Sequence, residues 1–150
     1  MSKSFPSIAL LSEYDTHQLA VRLANTARSG DVFLLEGDIG TGKSTFARAF
    51  LHHLVGPEVD VPSPTFTLVQ SYDFPQGIIH HYDLYRIEDP SELEEIGLYD
   101  HMYNAISLIE WPDRMKKHSL PRSLTLTFAM HDASHRSATI TPQGAWEGFS

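Results

Sequence analysis

Residues 32–54 read VFLLEGDIGTGKSTFARAFLHHL, and this stretch decides the fold. Val32, Phe33, Leu34 and Leu35 form a short continuous apolar run, the signature of a parallel strand covered on both faces. Gly37 to Ser44, GDIGTGKS, fit the pattern G-x-x-x-x-G-K-[ST]. Phe46, Ala47, Ala49, Phe50, Leu51 and Leu54 then recur at three- and four-residue spacing, as a half-buried helix requires. The glycines let the backbone close around an anion, with successive N–H groups pointing inward at the positive end of the following helix. Lys43 adds a point charge for the β- and γ-phosphates, and the Ser44 hydroxyl is a hard oxygen ligand for Mg²⁺. The bland reading is a glycine-rich turn between buried elements, but the strand before and helix after are the context a nucleoside triphosphate site needs.

Outward from this core, the upstream segment supplies another helix. Ile8 to Leu11 read as a short strand, and Ser12 offers an N-cap with Asp15 in the first turn. Leu19, Ala20, Leu23, Ala24 and Ala27 form a buried stripe that stops at Gly30. Downstream, Gly56-Pro57 ends the P-loop helix. Pro62 and Pro64 then hold the backbone stiff and extended, as either a rigid connector or a loop presenting Ser63 and Thr65 to the γ-phosphate and Mg²⁺.

Phe66 to Tyr72 and Gly77 to Tyr82 are strand-like, and Pro75-Gln76-Gly77 between them predicts an antiparallel hairpin. Asp83 closes the second strand, where a carboxylate serves either a nucleotide site or a turn. Asp89-Pro90 starts an acidic helix that ends near Gly97. Ala105 to Glu110 is an apolar run ending in a carboxylate, the Walker B pattern, with glutamate in place of the commoner aspartate. Trp111 follows, either as core or as cover for a nucleotide. The C-terminal part reads as a two-stranded unit: Leu124 to Phe128, a turn over 131–135, and a return at Ala138 to Ile140.

Composition narrows the class. The chain has 150 residues, 41% hydrophobic and 20% charged, and suits one soluble domain over 1–150. With no cysteine, disulfides and thiolate metal sites are excluded, and a reducing cytoplasm is the expected location. No stretch has the apolar length of a membrane span. Lys and Arg total 11 against 19 Asp and Glu, a formal net charge of −8 that opposes direct nucleic-acid binding. The densest cationic stretch is Arg114-Met115-Lys116-Lys117. No DNA partner is expected, and any tRNA role runs through a partner protein. The nine histidines form no chelating constellation: His52-His53 and His80-His81 are adjacent pairs whose side chains diverge, and His131 and His135 fall in a turn.

A guanine-reading N-K-x-D motif is absent, so adenine is favoured by default, and a small-molecule kinase or a nucleotide-dependent binding module remain as rivals. The ordered set GDIGTGKSTFARAF, SPTFTLVQSY, HYDLYRI, SELEEIGLYD and LIEWPDR resembles the bacterial TsaE (YjeE) family, the ATPases of tRNA threonylcarbamoyladenosine biosynthesis. Ile39, Thr41 and Ser44 stand where that family commonly has leucine, alanine and threonine. The tail after Arg136 matches weakly.

The resemblance implies a three-layer α/β P-loop NTPase-like fold with a mixed, mostly parallel sheet and a C-terminal antiparallel hairpin. It also implies ATP as cofactor with ADP as product, Mg²⁺, and a TsaB–TsaD type complex as partner, reset by ATP hydrolysis. Carried over by motif, Gly37, Asp38, Gly40, Thr41, Gly42, Lys43, Ser44 and Thr45 bind the phosphates. Ser44 and Glu110 hold Mg²⁺, Asp83 orients the attacking water, Trp111 helps the site and Thr65 becomes a switch residue. Ser12 and Arg136 are expected near the base or sugar. With no dedicated arginine finger, catalysis is expected to be slow until partners complete the site.

Overall fold

The computed structural model describes residues 7–62, 64, 67–115, 120, 122–133 and 135–144. Thr65, expected as a switch residue, lies outside them, as do Ser63, Phe66, Lys116, Lys117 and Ser134. In chain order the elements are β1 (Ile8–Leu10), α1 (Glu13–Thr26), β2 (Val32–Glu36), α2 (Lys43–Val55), β3 (Val69–Phe74), β4 (Gly77–Asp83), α3 (Ser91–Glu95), α4 (Leu98–His101), β5 (Ile106–Glu110), a 3₁₀ turn (Pro112–Arg114), β6 (Arg122–Asp132) and β7 (His135–Gly144).

The strands form one mixed sheet in the order β1-β7-β6-β2-β5-β4-β3. Its centre, β6-β2-β5-β4, is parallel, and β7, β1 and β3 are added antiparallel at the two sides. The central strands carry continuous apolar runs because both faces are covered, and every residue of β5 is buried. Alternation sorts β2 between two cores. Phe33 and Leu35 join α1 and α2 on one face, whereas Val32 and Leu34 pack with Tyr82, Ile109, Leu93 and Leu98 on the other. Two helical layers around a sheet make the three-layer arrangement expected from the sequence.

The helix over α1 starts as its sequence predicts. Ser12 Oγ accepts from Asp15 N at 3.3 Å, and Asp15 Oδ2 accepts from Leu11 N at 2.9 Å. The first bond satisfies an amide of the opening turn, and the second ties the chain ahead of the cap to the helix. In α2, Phe46 and Phe50 bury completely, and Phe50 meets Phe33 of β2 edge-on with ring centroids 5.0 Å apart. This aromatic contact seats the P-loop helix on the sheet.

Four boundaries differ from the sequence reading. β3 begins at Val69 rather than Phe66, because Leu68 sits at φ 67° and donates its N–H to Pro64 O at 2.8 Å. That is turn geometry, incompatible with a strand. Helix α3 is a short segment ending at Glu95, and a second turn, α4, follows Gly97, whose φ of 72° redirects the chain. The two C-terminal strands extend further than predicted, and Asp132 is already paired with His135. Nor is that hairpin a separate unit. β6 lies parallel to β2 over Val32↔Ser123 to Glu36↔Thr127 and completes the main sheet. No helix among the described residues is long and apolar enough to cross a membrane.

Candidate functional site

Three parallel strands deliver their carboxyl ends to one place. Leu35 of β2 pairs with Glu110 of β5, which pairs with Asp83 of β4, so the loop starting at Gly37 emerges beside two strand-end carboxylates. Ligands of open α/β sheets bind at this edge.

The loop's glycines are required by its path. At Gly37 (φ 136°) a Cβ would lie 2.6 Å from Phe128 O and 2.9 Å from Thr41 Oγ1, so no side chain fits. Gly42 caps α2 in the left-handed region at φ 113°, and Phe46 N donates to Gly42 O at 2.9 Å to start the helix. Thr41 turns inward and donates its hydroxyl to Asp38 O at 2.7 Å, bracing the loop. The first amides of α2 therefore face a cleft of about 410 Å³.

Gly40, Gly42, Lys43, Ser44, Thr45, Asp83, Glu110, Trp111 and Arg136 all line this cleft, joined by Glu13 and Ile39, which were not among the expected site residues. Gly37, Asp38 and Thr41 build the loop from behind. Ser12 lies in a small adjoining recess of about 60 Å³ that shares Arg136 with the cleft, and its hydroxyl already caps α1.

Two basic donors in the cleft wall are buried without a hydrogen-bond partner among the described residues: Lys43 Nζ and Arg136 Nε. Lys43 is 5% exposed, and its ammonium rests 3.6 Å from the centroid of the Trp111 ring. Burial lowers its proton affinity from the ordinary 10.5, while Glu110, Asp83, Asp113 and Asp38 oppose that by attraction. An anion of several oxygens would satisfy both donors.

The carboxylates are held from behind. Asp83 Oδ1 accepts from Tyr85 N at 3.0 Å, and Asp83 N donates to Leu68 O at 2.9 Å, tying it to the entrance of β3. Tyr85 packs against Trp111 with ring centroids 5.0 Å apart and the planes tilted by 54°, and Trp111 occupies the left-handed region at φ 59°. Glu110 Oε2 lies 2.7 Å from His81 Nε2, with both residues buried. The sequence reading passed over His81 because it weighed adjacent histidines as chelates. The available signal was the period of two, which places His81 and Asp83 on one face of β4. Ser44, Asp83 and Glu110 bring hard oxygen donors to one cleft, a set that fits Mg²⁺ rather than a softer metal.

Comparison with known proteins agrees with this geometry. A family model described as "Threonylcarbamoyl adenosine biosynthesis protein TsaE" matches residues 10–138. Proteins named tRNA threonylcarbamoyladenosine biosynthesis protein TsaE are similar along most of the chain. The one from Rickettsia felis is 35% identical over 133 residues, covering 89% of this chain and 78% of its own length. That from Aquifex aeolicus is 36% identical over 134 residues, covering 89% and 93%. The crystal structure of Bacillus subtilis YdiB superposes with a TM-score of 0.75 at 25% identity, covering 96% of this chain and 88% of that one. The chain belongs to the TsaE family.

Proposed function

We propose that this protein is a Mg²⁺-dependent ATPase of tRNA threonylcarbamoyladenosine biosynthesis that works with a TsaB–TsaD type complex and resets it by hydrolysing ATP. The supporting observation is that two basic donor atoms lining one cleft at the head of α2, Lys43 Nζ and Arg136 Nε, are buried with no hydrogen-bond partner among the described residues. Buried cationic donors without partners cost stability, and a polyphosphate bound there relieves that cost.

In this reading the amides of residues 40–45 and Lys43 receive the β- and γ-phosphates. Ser44 and Glu110 hold Mg²⁺, which when bound neutralises charge on the β- and γ-oxygens. Asp83 orients a water in line with the γ-phosphorus and takes its proton as the new O–P bond forms. The bond to the β-phosphate oxygen breaks, giving ADP and phosphate. Lys43 stabilises the charge that develops on the leaving oxygens. The net charge of −8 supports contact with tRNA through partners rather than directly.

Equilibrium dialysis with labelled ATP tests the binding half of this proposal. Saturable binding by wild type that weakens in Arg136→Gln is expected. Absence of binding at millimolar ATP with Mg²⁺ would refute it.

A further inference from the structure

We propose that His81 is a positioning residue for Glu110: it holds the carboxylate by one oxygen and so keeps it in place for Mg²⁺ and away from Lys43. The inference rests on the ATPase reading above and goes one residue deeper into its site.

Register places the two side chains together. β4 and β5 run parallel with His81 opposite Leu108 and Asp83 opposite Glu110. Residues two apart on a strand share a face, so His81 projects on the same side as Asp83 and reaches Glu110 diagonally. An ionised carboxylate only accepts, so Nε2 of the ring carries the hydrogen of the 2.7 Å bond. The residues are 3% and 4% exposed, and water does not compete for that bond.

What this histidine lacks is as informative. Its Nδ1 is buried with no hydrogen-bond partner among the described residues. A ring present for packing alone would be replaced at no loss by an apolar side chain, because an unsatisfied buried nitrogen destabilises the fold. The polar bond it does make goes to Glu110, which lines the cleft.

The neighbouring cation explains why Glu110 needs restraint. Glu110 is the foremost of the carboxylates that attract the proton on Lys43, yet Lys43 Nζ makes no hydrogen bond among the described residues. A glutamate has three rotatable bonds, and an unrestrained one would fold onto the ammonium and occupy the phosphate position. Anchored at Oε2, the carboxylate stays at its post and the ammonium remains available to phosphate. Partners behind a metal-holding carboxylate set its orientation in just this manner, and removing one typically costs 10- to 100-fold in metal affinity.

The test uses two variants of the full chain. His81→Leu removes the bond at similar bulk, and His81→Gln restores an N–H donor near the position of Nε2. Binding of a non-hydrolysable ATP analogue is titrated with Mg²⁺, repeated in EDTA, and accompanied by thermal melts. His81→Leu is expected to keep a cooperative melt and to need about 10- to 100-fold more Mg²⁺ for half-maximal analogue binding. His81→Gln is expected to recover most of that loss. A Mg²⁺ requirement in His81→Leu within about twofold of wild type would overturn the assignment, measured against the tenfold minimum just given. So would a glutamine variant no better than leucine. Wild-type protein that binds no analogue would overturn the ATPase reading as well, whereas the other adverse outcomes strike this inference alone.

Discussion

Lys43→Met separates the binding role of the ammonium from its role in the fold. Lys43 Nζ is buried, rests on Trp111 and has no hydrogen-bond partner among the described residues, and burial is the dominant influence on its proton. Methionine keeps most of the aliphatic stem against Trp111 and removes the stranded charge. An unsatisfied buried polar group costs about 1–3 kcal/mol, so the variant is expected to be at least as stable as wild type and up to that much more stable. For a chain of this length that corresponds to a melting temperature higher by up to about 4–12 °C. Nucleotide affinity moves oppositely. Hydrogen bonds to charged groups contribute about 1.5–3 kcal/mol, which is about a 10- to 150-fold loss in affinity.

Proton linkage adds a sign to this prediction. Below the folded pKa of Lys43 both folded and unfolded chains hold the proton, and the penalty of burying it is complete. As pH rises from there toward 10.5 the folded chain releases its proton first, so wild type gains stability relative to Lys43→Met over that window. Nucleotide affinity of wild type falls through the same window. Differential scanning calorimetry and isothermal titration at several pH values read both quantities. A variant that loses stability along with affinity would refute the reasoning, since it would mean that the protein itself already pairs the ammonium well.

Three further outcomes follow from the geometry. In a Trp146→Phe background, ATP binding should change the emission of Trp111 by drawing Lys43 off its ring, and Lys43→Met should abolish most of that change. Gly37→Ala should impair nucleotide binding far more than Gly40→Ala, because a Cβ at Gly37 meets Phe128 O at 2.6 Å whereas one at Gly40 meets nothing within 4 Å; equal losses in titration would contradict it. Phe50→Ala should cost about 3–5 kcal/mol in denaturant unfolding, since its fully buried ring packs on Phe33 and Phe46; a loss under about 1 kcal/mol would mean that the helix is seated otherwise.

What could be read from the chain in advance was mostly local. The strand, glycine loop and helix of residues 32–54 announce themselves because each depends on neighbours within four positions. Ser12 capping α1 through Asp15 is equally local. The strand-end positions of Asp83 and Glu110 were legible from apolar runs that stop at a carboxylate. Their being opposite one another was not, because the register of β4 on β5 is set by packing across the sheet.

The bond from His81 to Glu110 spans 29 positions and depends on that same register. Arg136 reaches the cleft because β7 pairs with both β6 and β1, a topology that no spacing in the sequence encodes. The insertion of β6 beside β2 was likewise hidden, since its alternating pattern suits an edge hairpin as well as a central strand. Helix α4 is a single turn, too short to leave a periodic signal.

The central claim is that the cleft hydrolyses ATP with Asp83 directing water. The most direct measurement is phosphate release from ATP with Mg²⁺, by this protein alone and with a TsaB–TsaD complex, for wild type and Asp83→Ala. The account predicts slow release alone, stimulation by the partners, and a loss of about 100-fold or more in the stimulated rate of Asp83→Ala, the scale of general base catalysis. No phosphate release by wild type with partners present, or stimulation that survives intact in Asp83→Ala, would contradict it.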